Sequence, residues 1–347
     1  MVNRKYCMSS YLMYRYIFDS EKTFQDGLKC CIADLSFLRK PVKTAIDLID
    51  TIEEIMQTIC AEDKAALALS GGIDSAILAK FMPKGAKTYT FRCAVPGKQV
   101  TDETEQAKKW ADINQLDHKV IDIYWEDIEA VADKLMLHKG APIHSIETQI
   151  YLAAIEAKKD GAKKFIFGEN ADIIYGGMDK LLKKDWIFGE FVDRYTYIKP
   201  YYILYEPEFI LDPFKKYEKK GYIDSYHFIN EYFRQEALGT YYNACETAGI
   251  EFAAPYSLTY LDEPIDYIRI RSGETKYIVR EAFKLLYPNM DVPEKIPMPR
   301  PVNEWFENWE GPIRPEFIPH CTDGLSGDQK WMVWALERFL NQIDQIE

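Results

Sequence analysis

The sequence lacks several features that would place a chain of 347 residues in a familiar special class. No apolar run approaches the ~20 residues that span a bilayer, and the amino terminus has no apolar core of the kind found in secretory signals. The cysteines are scattered and form no Cys-x-x-Cys pair, which argues against a disulfide framework and against a structural zinc site. We therefore expect a cytoplasmic protein without a membrane partner.

The chain has fewer basic than acidic residues. It contains 43 Lys and Arg residues and 55 Asp and Glu residues, and the formal net charge is −12. A broad nucleic-acid surface needs a basic face, so nucleic acid is not an expected partner, although a local basic pocket is compatible with this balance. Hydrophobic residues make up 47% of the chain and charged residues 28%, as in ordinary globular proteins.

One stretch, SGGIDS at residues 70–75, is built like an anion-binding loop. It follows an apolar run typical of a buried strand, residues 65–69, and precedes a helix-like run, residues 76–81. Glycines let backbone N–H groups approach an anion, serines add hydroxyl donors, and a helix N-terminus favours negative charge. Asp74 would repel a bare phosphate, which predicts a divalent cation between them. The spacing and lysine of a Walker A loop are absent.

Strands and helices alternate through the first half of the chain. Further strands are predicted at residues 87–93, 118–123 and 165–167, and helices at 43–60, 102–114, 125–137 and 147–159. This order predicts an α/β fold with a doubly wound parallel sheet, which binds ligands beyond the carboxyl ends of its strands.

Past about residue 180 the pattern becomes mostly helical. Residues 181–270 show aromatic-rich helical spacing, residues 272–286 and 329–346 predict helices, and four prolines within 291–301 predict an ordered strap. We expect residues 41–347 to form one domain, with its α/β core ending near residue 180, and residues 1–40 to form a lead-in.

A second loop, GENADIIYGGM at residues 168–178, leaves the fourth predicted strand. Because parallel strands end at one edge of a sheet, Asp74 and Asp172 could together hold a magnesium ion that bridges ATP phosphates. Each loop alone has a simpler interpretation. A glycine pair is common in strand–turn–helix connections, and an acidic residue after a strand is often a helix cap.

Together the two loops resemble those of the ATP pyrophosphatases, and in particular the C-terminal synthetase domain of asparagine synthetase. The second loop reads approximately G-E-G-A-D-E-x-x-G-G-Y in asparagine synthetases and ends closer to A-D-I-x-x-G-G-M in β-lactam and carbapenam synthetases. This chain has the latter ending at residues 171–178, but Glu169 follows the former pattern, and Asn170 stands where glycine is usual.

Weaker matches follow the loops. Lys276 and Arg280 match the K-x-x-L-R-x-A helix of the family, and residues 293–297 match its P-x-R-K-x strap, with Glu294 in place of the usual arginine. Residues 331–339 resemble its closing helix, so the resemblance covers most of residues 40–347.

The resemblance implies an adenine nucleotide α-hydrolase-like fold and a two-step reaction. ATP with Mg²⁺ would adenylate a substrate carboxylate, releasing pyrophosphate, and ammonia or an amine would then displace AMP to form an amide. The resemblance implies catalytic roles for Lys295, as pyrophosphate leaves, and more loosely for Glu169. We assign Mg²⁺ to Asp74 and Asp172, and ATP to Leu69, Ser70, Gly71, Gly72, Asp74, Ser75, Phe91 and Gly168. The resemblance implies that Lys276 helps to bind the phosphates of ATP.

The chain departs from full-length asparagine synthetases at its start. Val2 stands where their glutaminase domain has its catalytic cysteine, and residues 11–32 resemble the linker that enters the synthetase domain. We therefore expect no glutaminase domain. The nitrogen would come from free ammonia, from a separate glutaminase or from an amine on the substrate, and a homo-oligomer is left open.

Two other functions stay open. The first loop is also compatible with a tRNA- or nucleotide-modifying ATP pyrophosphatase. The negative net charge and the absence of a Cys-x-x-Cys pair argue against that function. A non-catalytic nucleotide-binding module is disfavoured by the intact Ser70, Asp74, Asp172 and Lys295. The carboxylate substrate is not readable from the sequence. Its pocket is expected between about residues 140 and 260, with His144, Tyr175 and residues 253–256 as candidates.

Overall fold

The computed structural model describes residues 1–30, 38–61, 64–98, 100–294 and 298–345. The strands within these ranges are β1 (Lys40–Val42), β2 (Ala65–Ala68), β3 (Lys87–Cys93), β4 (Asp117–Ile123), β5 (Lys164–Ile166), β6 (Glu218–Lys219), β7 (Tyr222–Ile223), β8 (Glu251–Ala253) and β9 (Thr259–Leu261).

The helices alternate with these strands and then dominate the second half. They are α1 (Arg4–Tyr14), α2 (Ala45–Ala61), α3 (Ile73–Lys80), α4 (Thr104–Asn114), α5 (Trp125–Lys139), α6 (Glu147–Lys159), α7 (Ala171–Ile174), α8 (Asp179–Leu182), α9 (Phe188–Tyr195), α10 (Asp212–Lys215), α11 (Ser225–Phe228), α12 (Arg234–Ala248), α13 (Tyr267–Arg271), α14 (Tyr277–Leu286), α15 (Val302–Trp305) and α16 (Gly327–Ile343). Short 3₁₀ turns lie at Pro200–Tyr202 and Pro255–Leu258, and a π-helical turn at Ile229–Phe233 leads into α12.

The centre of the fold is a parallel sheet that has, in the described residues, five strands in the order β4-β3-β2-β5-β8. Chain order reverses between β2 and β5, so the crevice beyond these two strands is the topological switch point where α/β sheets bind ligands. The predicted α/β fold with a doubly wound sheet is confirmed.

Helices cover both faces of this sheet because side chains alternate along each buried strand. Ala66 and Phe165 join a core cluster with residues of α1, α5, α6, α12 and α16. Their neighbours Leu67 and Ile166 join a second cluster with residues of α2, α3, α4 and α14. The sheet is therefore held rigidly between two apolar layers, and its strand ends keep fixed positions.

The helical remainder has an aromatic core of its own. Phe191, Phe214 and Phe228 are fully buried, and the rings of Phe214 and Phe228 stack with centroids 5.0 Å apart. Tyr14 of α1 packs on Phe214 at 5.6 Å and donates a hydrogen bond to the Ile210 carbonyl at 2.6 Å. No helix in the described part of the chain is long and apolar enough to cross a membrane.

The sequence predictions of secondary structure are wrong at several places in the second half of the chain. The predicted helix at 272–286 starts late, since Gly273 has a φ of 101° and Lys276 a φ of 51°, and α14 begins only at Tyr277. Residues 181–270, which predict helices, also contain the short strands β6, β7, β8 and β9. Among these, β8 is the one that joins the central sheet. It has three residues, too few for alternation to distinguish it from a helical segment. The division at residue 41 stays a prediction.

Candidate active site

A cavity of about 680 Å³ opens at the switch point between β2 and β5. The predicted site residues in its wall are Leu69, Ser70, Gly72, Asp74, Ser75, Phe91, Gly168, Glu169, Asp172 and Lys276. Gly71 belongs to the same loop but is not among the lining residues. Lys295 lies outside the described residues, and Pro293 and Met298, on either side of it, line the cavity. Both loops, and strap residues on either side of Lys295, therefore line the same cavity.

The first loop is shaped by its own serines. The Ser75 hydroxyl lies 2.8 Å from the Ser70 hydroxyl and accepts a hydrogen bond from the Ser70 N–H at 3.1 Å. The Ser70 hydroxyl in turn accepts from the Gly72 N–H at 3.2 Å. The loop therefore keeps its curvature without a ligand, and it ends at the N-terminus of α3, where an anion is favoured.

Glu103 is a wall residue that sequence reasoning missed. Its carboxylate accepts a hydrogen bond from the Gly71 N–H at 2.9 Å, and burial raises its pKa. A Cβ at Gly71 would lie 3.2 Å from the Cβ atoms of Glu103 and Gln106, so glycine permits this close packing. Glu103 is also the N-cap residue of α4, and its side chain reaches the first loop.

Lys276 joins the two loops. Its ammonium lies 2.6 Å from Asp74 Oδ2 and 3.1 Å from Asp172 Oδ1. Burial lowers the pKa of Lys276, but the charges of Asp74 and Asp172 outweigh it, so the pKa is raised and the ammonium stays protonated. The two carboxylates, 98 residues apart in sequence, therefore converge on one cation.

Glycines in the second loop allow this convergence. A Cβ at Gly177 would lie 2.1 Å from Asp172 Oδ1, and a Cβ at Gly168 would lie 3.1 Å from the Ser75 nitrogen. Asn170 has a φ of 75°, a left-handed conformation that glycine adopts freely and asparagine tolerates. Its side-chain amide nitrogen donates a hydrogen bond to the Ser257 hydroxyl at 2.9 Å. Asparagine therefore adopts the turn conformation and also ties the second loop to Ser257.

The Gly177→Ala variant is expected to displace the Asp172 carboxylate, because the added methyl group would overlap its oxygen. We expect unfolding in urea to require about 1–3 kcal/mol less free energy, the usual range for overpacking. Gly189→Ala is the matched control, since nothing lies within 4 Å of a Cβ there. Equal stability of the two variants would show that the close approach at Gly177 is not needed.

Glu169 is a buried carboxyl group in the cavity wall with a strongly shifted pKa. Its pKa is raised to about 7, first by burial and then by the charges of Asp172 and Glu236, while hydrogen bonds from the Asn170 N–H and the Tyr241 hydroxyl act to lower it. A carboxyl group with a pKa near the working pH can both accept and release a proton. The sequence analysis did not identify Tyr241 as a cavity residue. Its segment, now α12, shows only a helical pattern, which does not indicate which side chains face the cavity.

Glu169 should make the stability of the protein fall as pH rises. Its folded-state pKa is about 7, above the ordinary value of 4.5, so the folded state binds the proton more tightly between those values and is favoured at lower pH. We expect the wild type to lose about 2 kcal/mol relative to Glu169→Gln between pH 5 and pH 8. Urea unfolding at both pH values measures this. The exposed-site variant Glu105→Gln should show no such difference, and parallel curves for wild type and Glu169→Gln would contradict the shift.

The carboxylates of Asp74 and Asp172 are suited to hold Mg²⁺. Their oxygens already meet at one cation, the Lys276 ammonium, and oxygen donors are the ligands that Mg²⁺ prefers. No group of three or more His, Cys, Asp or Glu side chains with a metal-binding arrangement occurs in the part of the chain that the structure describes. Phosphate oxygens or water would therefore complete the coordination, as is usual for Mg²⁺.

The candidate substrate residues lie outside the cavity wall. Tyr175 is buried, with its hydroxyl 2.7 Å from that of Thr259. Tyr256 is also buried and donates a hydrogen bond to the Asp74 carbonyl at 3.0 Å, which supports the first loop from behind. Burial lowers the pKa of His144, and the charges of Arg300 and Arg15 lower it further.

The fold and the site define a nucleotide-binding α/β protein, with a glycine loop, a buried lysine and two carboxylates at the switch point. The sequence model of the asparagine synthase family matches residues 50–254, more than half of the chain. The chain belongs to this family, as its two loops predicted, and is an ATP-utilising synthetase. No curated protein matches the sequence.

Two solved structures are weakly similar to the chain. The NH3-dependent NAD synthetase from Campylobacter jejuni has 16% identity and a TM-score of 0.26, and the match covers 38% of this chain and 60% of that one. The NMN synthetase from Francisella tularensis has 14% identity and a TM-score of 0.24, with 73% and 97% covered. These similarities are too low to bear on the reaction of this chain.

Proposed function

We propose that the chain is an AMP-forming carbon–nitrogen ligase, which adenylates a substrate carboxylate and passes the acyl group to ammonia or an amine. The proposal depends on one observation: the ammonium of Lys276 contacts both Asp74 and Asp172 beside the first loop, residues 70–75. The proposal is supported by the Lys276 ammonium, a cation at the strand ends that bind ligands in such sheets.

In the first step a substrate carboxylate oxygen attacks the α-phosphorus of ATP, and the bond to pyrophosphate breaks. The N-terminus of α3, with its helix dipole, would hold the departing anion. The N–H groups of Ser70, Gly71 and Gly72 donate within the protein and shape the loop. Mg²⁺ held by Asp74 and Asp172 would supply charge neutralisation on the phosphates. Lys295 is proposed to stabilise the same charge from the strap.

In the second step a nitrogen lone pair attacks the acyl carbon, and the bond to AMP breaks. The nitrogen must lose a proton as the amide forms. The Glu169 carboxylate, with a pKa of about 7 and a hydrogen bond from Tyr241, is proposed to receive it. The nitrogen is proposed to come from free ammonia, a separate glutaminase or an amine-bearing substrate.

ATP–pyrophosphate exchange tests the proposal. Labelled pyrophosphate should enter ATP only when a suitable carboxylic acid is present, since the first step is reversible and requires no nitrogen donor. A broad screen of acids is therefore the first experiment, with transfer RNA and free nucleosides as parallel additions. AMP formation that depends on RNA, without exchange for any acid, would replace the proposal by the RNA-modifying alternative.

A further inference from the structure

The Glu103 side chain brings a carboxylate to the cavity wall next to the first loop. One oxygen, Oε2, accepts the hydrogen bond from the Gly71 N–H at 2.9 Å. The other oxygen, Oε1, makes no hydrogen bond or ion pair with any residue that the structure describes, and it is not enclosed by protein. Because Glu103 is half-buried and lines the cavity, Oε1 is available to a hydrogen-bond donor on a bound molecule.

The position of this carboxylate is fixed by the way α4 packs on the first loop. Glu103 is the N-cap residue of α4, and Trp110 of the same helix donates through Nε1 to the Gly71 carbonyl at 3.0 Å. Trp110 is fully buried. Both backbone polar groups of Gly71 are therefore bonded to side chains of α4 and its N-cap, which holds the carboxylate in place before any ligand binds.

The charges of the cavity wall differ from one side to the other. Lys183, Arg271 and Arg280 line the side formed around α13 and α14. On β3 and at the start of α4, the only charged side chain among the described lining residues is Glu103. A phosphate beside Glu103 would be repelled by its carboxylate, whereas the basic side would attract it. The triphosphate of ATP is therefore favoured on the basic side, which leaves the β3 side for the nucleoside.

Glu103 also differs from the other carboxylates at the phosphate end of the cavity. Asp74 and Asp172 both contact the Lys276 ammonium, whereas Glu103 has no cation partner in the described part of the chain. Its accessible oxygen is therefore suited to a neutral donor, such as a hydroxyl group, which brings no charge that a cation would have to balance.

Resting on the proposed function, we infer that Glu103 binds a ribose hydroxyl of ATP and gives the site its selectivity for ribonucleotides. A hydrogen bond from a hydroxyl to a carboxylate is among the stronger kinds, and acidic side chains hold ribose hydroxyls in dinucleotide-binding α/β sheets. A nucleotide that lacks this hydroxyl would leave Oε1 without a partner in the bound state. Sites that bond a substrate hydroxyl discriminate strongly against analogues that lack it.

Nucleotide binding tests the inference without an acid substrate. Isothermal titration calorimetry in Mg²⁺ compares the Kd values of ATP, 2′-deoxyATP and 3′-deoxyATP. We expect the Kd of at least one deoxynucleotide to be about tenfold or more above that of ATP, the effect of losing one hydrogen bond to a charged group.

The outcomes separate this inference from the adenylation proposal. Selective binding without acid-dependent exchange would support the role of Glu103 and count against adenylation. Equal Kd values for the three nucleotides would overturn the inference and leave adenylation standing. Absence of binding by every nucleotide would overturn both.

The Glu103→Ala variant separates hydroxyl binding from support of the first loop. Loss of the hydroxyl contact should bring the Kd of ATP to that of the deoxynucleotide and so abolish the selectivity. Loss of the Gly71 hydrogen bond alone would weaken all three nucleotides by the same factor and keep the ratio of their Kd values. Circular dichroism checks folding, and Glu105→Ala, at an exposed position on α4, should keep the wild-type ratio. A wild-type ratio in folded Glu103→Ala would overturn the inference.

Discussion

Replacing Asp74 with Asn is expected to lower ATP–pyrophosphate exchange by at least about 100-fold, the size of effect seen when one preorganised electrostatic group at a reacting phosphate or oxyanion is lost. The substitution keeps the size of the side chain but removes the negative charge that lies 2.6 Å from Lys276. That charge is one of two positioned to hold Mg²⁺, and an amide oxygen is a poorer ligand for a hard cation.

The Asp74→Asn experiment has a matched control in Asp112→Asn, an exposed aspartate on α4. Exchange by the control should equal that of the wild type. Raising the Mg²⁺ concentration should recover part of the activity of Asp74→Asn if binding of the ion is what was weakened. Full activity of Asp74→Asn at ordinary Mg²⁺ would remove Asp74 from the site.

Replacing Lys276 with Ala is expected to destabilise the folded chain by about 2–4 kcal/mol, since removal of one partner leaves two partly buried carboxylates facing each other. The Lys276 side chain is 7% exposed, against 19% for Asp74 and 28% for Asp172, so water relieves part of the repulsion. Urea unfolding at low ionic strength measures the effect. Mg²⁺ should restore stability to the variant more than to the wild type, because the vacated position between the carboxylates suits a cation.

Lys284→Ala is the control for this prediction, because Lys284 is exposed on the same helix, α14. It should change the free energy of unfolding by no more than about 0.5 kcal/mol, as surface substitutions usually do. A Lys276→Ala variant as stable as Lys284→Ala, with no response to Mg²⁺, would show that the lysine does not neutralise the aspartates.

Much of the fold was predictable because its signals are local. The apolar run before residue 70, the glycine pair and the helix-like run after it predict a strand, a turn and a helix, and the structure has β2 and α3 there. The second loop follows β5 in the same way. Since parallel strands end at one edge, the meeting of Asp74 and Asp172 followed from the strand order that the alternating pattern implied.

Other features depend on contacts that no local pattern encodes. Glu103 reaches Gly71 across 32 residues, and Lys276 reaches Asp74 across 202. The resemblance implies that Lys276 helps to bind phosphates, which stays a prediction, but no local pattern indicates that its ammonium lies between two carboxylates. The pairing of Tyr241 with Glu169 depends on how α12 packs on the sheet, which helical periodicity alone does not specify.

The central claim is that a carboxylate oxygen attacks the α-phosphorus of ATP, and one isotope measurement tests it directly. The acid that supports exchange is labelled with oxygen-18 in its carboxylate and incubated with ATP, Mg²⁺ and an amine. Mass spectrometry then examines the AMP released. We expect one oxygen-18 atom in the AMP phosphate, because the labelled oxygen that attacked phosphorus stays with AMP when the amine displaces it from the acyl carbon. Amide formation with unlabelled AMP, or with ADP as product, would contradict it.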